Sequence, residues 1–264
     1  MDLQIAGMTA LVTGSTAGIG FAIAAALAGE GAAVIVNGRT RQRVEEAVGK
    51  IRAAHPNANA SGADGDVSTA EGVQRVIGAA PHVDILVNNA GIFEPKAFEE
   101  ISDADWEKFF QANVMSGVRL SRHYFPRMLA RNWGRIVFIS SESAVQIPAE
   151  MIHYGMSKTA QLAIARGLAE RTAGTGVTVN SVLPGPTASE GVETFVEQLA
   201  AKQEKTAGQM EKEFFEHARP TSLLKRFATP EEVANMVVYV CSRRSAATNG
   251  AALRVDGGVV RAIV

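Results

Sequence analysis

The sequence predicts an α/β protein of one domain, a doubly wound parallel sheet with helices on both faces. Three observations predict it. Short apolar runs alternate with helical patterns along all 264 residues. The apolar runs are continuous rather than alternating, as in strands buried on both faces. No Pro/Gly/Ser linker or internal repeat interrupts the rhythm, so the strand–helix units belong to one sheet with right-handed crossovers.

The elements follow in order. Thr9-Ala10-Leu11-Val12-Thr13 reads as a buried strand, and Gly18 to Ala28 as the helix after it. Ala33 to Asn37 is a second strand and Arg41 to Ala54 a second helix. Asp84 to Asn88, Gly134 to Ser140, Val177 to Val182 and Ala252 to Val255 read as later strands. Asp103 to Ala130 and Ile152 to Arg171 read as helices. Ser189 to Pro220 breaks the pattern: it is highly charged and holds two helical stretches. Val192, Phe195, Val196 and Leu199 share one face of the first, and Phe214 and Phe215 mark the second. This segment is either a solvated helix pair on the core or a helical lid over a substrate pocket, spanning 189–220 of a single 1–264 domain.

Composition sets bounds on function. Hydrophobic residues make up 47% and charged residues 20%, and the net charge is -1. That balance fits a soluble globular protein and gives no basic surface for nucleic acid. Cys241 is the only cysteine, so no intrachain disulfide forms, which suits a reducing cytoplasm. Met1 to Gly7 lacks the pattern of a signal peptide, and Phe21 to Ala28 is too short an apolar run to span a bilayer. The five histidines show no metal-ligand spacing, so no metal is expected.

The first strand runs into Gly14-Ser15-Thr16-Ala17-Gly18-Ile19-Gly20, and a helix follows at once. Gly14 can turn tightly, Gly18 lets backbone approach a ligand, and Gly20 lets helix pack near sheet. Free N–H groups at the helix start then face an anion such as pyrophosphate. The spacing is G-x-x-x-G-x-G rather than G-x-G-x-x-G. A dinucleotide fold that takes NAD carries a carboxylate about 20 residues beyond, on the ribose. Here the second strand ends Asn37-Gly38-Arg39. Gly38 leaves space and Arg39 brings a fixed cationic fork suited to the phosphate of NADP(H). Asn37 on the ribose hydroxyls, with Arg39 only stacking on adenine, is the competing reading.

Tyr154 and Lys158 stand four residues apart on one helix face. A free tyrosine, with a pKa near ~10, is a poor base at neutral pH, and a nearby ammonium favours its phenolate. Ser141 lies just beyond a strand end, where it could bond a substrate oxygen.

Together the motifs resemble those of the short-chain dehydrogenase/reductase family, in its order and spacing: Thr13-Gly14-x-x-x-Gly18-Ile19-Gly20, Asp66-Val67, Asn88-Asn89-Ala90-Gly91, Asn113, Ser141, Tyr154-x-x-x-Lys158, Pro184-Gly185 and Asp256-Gly257-Gly258. The resemblance covers the chain except for a long 189–220 segment and implies a Rossmann-type fold. It implies adenine-edge contacts for Asp66 and Val67, and a support beside the cofactor for Asn89, Ala90 and Gly91. Ser141 becomes the substrate-oxygen donor, Tyr154 the proton donor in reduction, and Lys158 a ribose ligand and activator. Asn113 resembles the residue holding a water in a proton relay. Pro184, Gly185 and Thr187 resemble the turn facing the nicotinamide amide, with Pro186 an added departure.

The expected activity is NADPH-dependent carbonyl reduction, with 3-oxoacyl thioesters among the substrates that resemblance to 3-oxoacyl-[acyl-carrier-protein] reductases implies. The alternatives are an alcohol or sugar-alcohol dehydrogenase running oxidatively, and a dinucleotide sensor without catalysis. Glu142, Ile147 and Met151 border the expected pocket, with Gln146, Glu150 and His153 near them; His153 reads as a packed loop histidine. The apolar residues of Asp103 to Ala130 (Trp106, Phe109, Phe110, Val114, Val118, Leu120, Tyr124, Phe125, Met128 and Leu129) cover more than one face, and the apolar end Gly258 to Val264 offers a second contact. That and the family point to a homotetramer.

Overall fold

A computed structural model describes residues 1–189 and 205–263. Seven parallel strands form one sheet in the order β3-β2-β1-β4-β5-β6-β7. The strands are β1 (Thr9–Val12), β2 (Ala33–Gly38), β3 (Ala60–Asp64), β4 (Ile85–Asn88), β5 (Gly134–Ile139), β6 (Val177–Pro184) and β7 (Ala252–Val255). The helices are α1 (Gly18–Gly29), α2 (Arg41–Ala54), α3 (Ala70–Ala79), α4 (Asp103–Phe109), α5 (Ser116–Ala130), α6 (Ile152–Glu170), α7 (Ala207–Glu213) and α8 (Pro230–Cys241).

Continuous apolarity has the expected cause. In β5 all six residues are buried, and alternate side chains feed two cores. Val137 and Ile139 join the layer of α1, α2 and α8, with Ile23, Leu27, Ile51 and Val237. Ile136 and Phe138 join the layer of α3, α5 and α6, with Val76, Leu120, Phe125 and Ala165. Burying one such large side chain contributes roughly 1.5–3 kcal/mol, so each face of the sheet secures its own helices.

Three features depart from the sequence reading. β3 and α3 were not anticipated. β3 reads Ala-Ser-Gly-Ala-Asp, without an apolar run, because it is the sheet edge and pairs only with β2. The stretch Asp103 to Ala130 is not one regular helix: a π-helical turn, Phe110–Met115, separates α4 from α5. It carries Asn113 inward and leaves Phe110 exposed. His153 is not in a loop but in the first turn of α6, buried against Phe109 and Trp106.

Of the 189–220 segment, Val192, Phe195, Val196 and Leu199 lie outside the described residues. The remainder holds α7 and a π-helical turn, Phe214–Ala218. Phe214 and Phe215 both pack on Phe227, which anchors this end of the segment to the body.

The strand order reverses between β1 and β4, whose connections leave toward opposite faces of the sheet. In such sheets a crevice opens at that point, beyond the carboxyl ends of the strands. The glycine loop, the Asn88–Gly91 turn and Ser141 all follow these carboxyl ends.

Candidate active site

The glycine loop leaves β1 with Gly14 at φ +60° and Gly18 at φ +55°, conformations that disfavour side chains. A Cβ on Gly20 would stand 2.3 Å from the Gly14 carbonyl oxygen, so only glycine lets α1 start this close to β1. The α1 N-terminus has no side-chain cap and no acidic residue in its first turn. Its N–H groups and partial positive charge are therefore open to an anion. Thr16 and Ile19 are half-buried along this cradle. Ser15 is fully buried: its N–H donates to the Asn37 backbone carbonyl at 2.9 Å and its hydroxyl to the Val12 carbonyl at 2.6 Å.

Asn37 is a brace. It is buried, donates to the carbonyls of Ala63 and Gly65 at 2.9 and 3.1 Å, and accepts from the Gly14 N–H at 3.2 Å. Both of its N–H donors are thus spent on the fold. Arg39, beyond the end of β2, is exposed and has no partner among the described residues. Gly38 is tight rather than roomy: a Cβ there would lie 2.4 Å from Thr16 Cγ2. This packing was not legible in the sequence, which suggested only free space.

Asp66 caps its own turn, accepting from the Ser68 N–H and hydroxyl at 3.0 and 2.7 Å, and Val67 is buried beside it. Asn89 ties β4 to the glycine loop by donating to the Thr13 and Gly14 carbonyls at 2.9 and 3.0 Å. The Asn89 and Ala90 N–H groups both donate to Thr13 Oγ1 at 2.9 Å. A Cβ on Gly91 would approach Asn113 Oδ1 to 3.2 Å and Lys158 Nζ to 3.4 Å, so this glycine is where the loop meets the polar cluster. Beyond β6, Gly185 packs on the Asp256 backbone, and the Thr187 hydroxyl donates to the Gly185 carbonyl at 2.9 Å.

The structure brings Asn113, Ser141, Tyr154 and Lys158 together. Lys158 is buried; its Nζ lies 5.7 Å from the Tyr154 ring centroid and donates to the Ile139 carbonyl at 2.9 Å. Burial pushes its pKa down to about 8. Burial, and then the charge of Glu142, holds the Tyr154 phenol well above its ordinary value; a hydrogen bond with Ser141 and the Arg219 charge pull the other way. Both N–H donors of Asn113 are committed: it accepts from the Ile92 N–H at 2.7 Å and donates to the Ile92 carbonyl and Ser157 hydroxyl at 3.0 and 2.9 Å. The Ser157 hydroxyl in turn donates to the Tyr154 carbonyl at 2.7 Å, coupling the π-helical turn to the tyrosine's helix.

Two features escaped sequence reasoning. Phe93 meets the Tyr154 ring edge-on at 6.4 Å. Arg219, buried, donates through Nε to Glu142 Oε1 and through Nη1 to Glu150 Oε1, both at 3.1 Å. It lies 77 residues from Glu142, and no local signal distinguishes it from other arginines. Of the predicted pocket residues, Glu142 is buried, Met151 half-buried and Ile147 exposed at the rim.

A doubly wound sheet, a glycine-lined anion cradle and a buried Tyr–Lys–Ser–Asn cluster define a nucleotide-dependent oxidoreductase class. The sequence pattern of the short chain dehydrogenase family matches residues 8–200. The chain is 49% identical over 263 residues to the uncharacterized oxidoreductase YvaG of Bacillus subtilis, covering 100% of both. It is 31% identical to the 3-oxoacyl-[acyl-carrier-protein] reductase FabG of Aquifex aeolicus, covering 98% of this chain and 100% of that one. Among solved structures it resembles L-sorbose reductase from Gluconobacter frateurii complexed with NADPH and L-sorbose, with a TM-score of 0.92, 32% identity and full coverage of both chains. The chain belongs to the short-chain dehydrogenase/reductase family, and is an oxidoreductase acting on carbonyl and alcohol groups.

Proposed function

We propose that this protein is an NADPH-dependent carbonyl reductase in which Tyr154 is the acid/base. The observation that carries the reading is the juxtaposition of Tyr154, Ser141 and Lys158 beside an uncapped glycine cradle, with Arg39, which has no partner among the described residues, just past the neighbouring strand. The cradle fits a dinucleotide: Gly14, Thr16, Gly18, Ile19 and Gly20 hold its pyrophosphate, Ser15 braces the loop, and Arg39 takes the ribose phosphate. Asp66 and Val67 border the adenine, and Asn89, Ala90 and Gly91 line the groove. Pro184, Gly185 and Thr187 face the nicotinamide, and Lys158 takes its ribose. When bound, the cofactor supplies the hydride.

The chain's own residues handle the proton and the oxygen. Ser141 and Tyr154 hold the substrate carbonyl oxygen, and Tyr154 gives it the proton. The buried Lys158 ammonium stabilises the phenolate left behind. Asn113, fixed in the π-helical turn, orders the proton path behind Lys158. We also infer a cytoplasmic homotetramer, and a lid role for the described part of the segment, residues 205–220, which reaches Glu142 and Glu150 through Arg219.

A second reading is favoured by one observation. Glu142 and Arg219 stand near Tyr154 and are ion-paired, with Glu150 on the other side of Arg219, and a polar setting of that kind suits the hydroxyls of a ketose or polyol better than the chain of an oxoacyl thioester. The resemblance to a sugar reductase agrees with that. Assaying ketones, oxoacyl thioesters, ketoses and polyols with NADPH/NADP⁺ and NADH/NAD⁺ separates the readings. Turnover of ketones or thioesters supports the first, and turnover confined to ketoses and polyols supports the second. No turnover of any would leave a dinucleotide sensor.

A further inference from the structure

Ser141 has one hydroxyl proton and more than one claimant. Its Oγ donates to Glu142 Oε2 at 2.5 Å, and it stands near enough to the Tyr154 phenol to favour the phenolate when its proton turns that way. Ser141 Oγ already accepts from the Ser143 N–H at 3.1 Å, which fixes the hydroxyl at the start of the turn after β5. Glu142 cannot swing away: it is buried, and its other oxygen is gripped by Arg219 Nε. Arg219 is itself held by Glu150 and by the Ala218 carbonyl, and its guanidinium lies 5.8 Å from the Phe214 ring.

We propose that Glu142, clamped by Arg219, is a positioning residue that competes with the Tyr154 oxygen for the single proton of Ser141. The proposal rests on the reading of Tyr154 as the acid/base. While the carboxylate holds the proton, Ser141 presents lone pairs to Tyr154 and keeps it a phenol, ready to donate. When the proton turns toward Tyr154 it stabilises the phenolate instead. The charge of Glu142 acts in the same sense, because a nearby anion disfavours phenolate.

The charged and titratable groups facing Tyr154 are Glu142 from the β5 turn, Lys158 from its own helix and Arg219 from the segment after α7, with Glu150 beyond Arg219. Replacing Glu142 by glutamine removes one charge; with the amide oxygen kept on Arg219 Nε, the amide NH2 faces Ser141 and leaves the serine proton to Tyr154, and both changes favour ionisation.

The primary test needs neither substrate nor cofactor. Tyrosine carrying a ¹³C label at Cζ is incorporated, and the Tyr154 resonance is assigned by its absence in Tyr154→Phe. The protein is then titrated through alkaline pH. In Glu142→Gln the Tyr154 signal should move toward the phenolate position at a pH lower than in wild type, by about one pH unit or more. The same displacement should appear in the alkaline limb of the pH profile for NADP⁺-dependent alcohol oxidation. Should the single variant misfold around an unpaired Arg219, Glu142→Gln with Arg219→Gln leaves a neutral pair and should still titrate below wild type. Unchanged or later ionisation of Tyr154 overturns the proposal, even if the enzyme turns over as expected. An absence of turnover with the NMR displacement intact would instead count against the reductase reading alone.

Discussion

Lys158 Nζ stands 5.7 Å from the Tyr154 ring centroid and spends one hydrogen bond, at 2.9 Å, on the Ile139 carbonyl. The ammonium is therefore aimed along the tyrosine and away from solvent, at the carboxyl end of β5.

That burial has a consequence for stability. The Lys158 pKa falls from 10.5 to about 8 on folding. Between those values the unfolded chain binds more protons than the folded one, so this residue's contribution to stability grows as pH rises from 8 toward 10.5 and is lost as pH falls to 8. The difference in unfolding free energy between wild type and Lys158→Met should shift by about 3 kcal/mol over that window, in favour of wild type at the higher pH. Urea denaturation of both proteins at pH 7.5, 9 and 10.5 measures it; a gap that does not change with pH contradicts the assignment.

Arg39→Ala should weaken NADPH by one to two orders of magnitude and leave NADH nearly unchanged. A charge-assisted contact to the ribose phosphate contributes on the order of 1.5–3 kcal/mol, and each ~1.4 kcal/mol is tenfold in affinity. The rival role for Asn37, bonding the ribose, is opposed by its commitment to Ala63, Gly65 and Gly14. Fluorescence titration with both cofactors decides. Equal losses for the two, or a wild type that prefers NADH, would count against Arg39.

Gly38→Asp alone should fail to convert the enzyme to NADH. Its Cβ would stand 2.4 Å from Thr16 Cγ2, so the glycine loop must shift and both cofactors bind less well. Combining it with Thr16→Ser removes that methyl, and the pair should bind NADH better than NADPH. The four titrations test this directly; a single Gly38→Asp variant that gains NADH affinity would show that Thr16 yields freely.

Static light scattering at micromolar concentration should give a mass four times the 27.9 kDa of the chain. Phe98, Phe110 and Leu223 are large apolar side chains left exposed in the single chain, and subunit contacts would cover such surface. A monomer mass would remove the tetramer.

Much of this architecture was legible in the sequence because buried parallel strands write themselves as apolar runs. β1, β2, β4, β5, β6 and β7 were visible for that reason, while the edge strand β3, held by pairing rather than by side chains, was not. Tyr154, Lys158, Ser141 and the glycine loop were legible because their spacing follows helix and turn geometry. Arg219 was not, since only the folded chain carries it 77 residues back to Glu142. Nor was the role of Gly38, whose neighbour Thr16 belongs to another loop. The π-helical turn at Asn113 left no mark either, because its residues are ordinary helix formers.

The most direct test of the account compares wild type with Tyr154→Phe in two assays. Consumption of NADPH is followed with the carbonyl substrate that the panel identifies, and NADPH affinity is measured by fluorescence. Loss of the phenolic proton should lower turnover by roughly 10²–10⁴-fold. Affinity for NADPH should stay essentially the same, since the glycine cradle and Arg39 are untouched. A Tyr154→Phe enzyme that keeps more than about a tenth of wild-type turnover would contradict the assignment of Tyr154 as the acid/base.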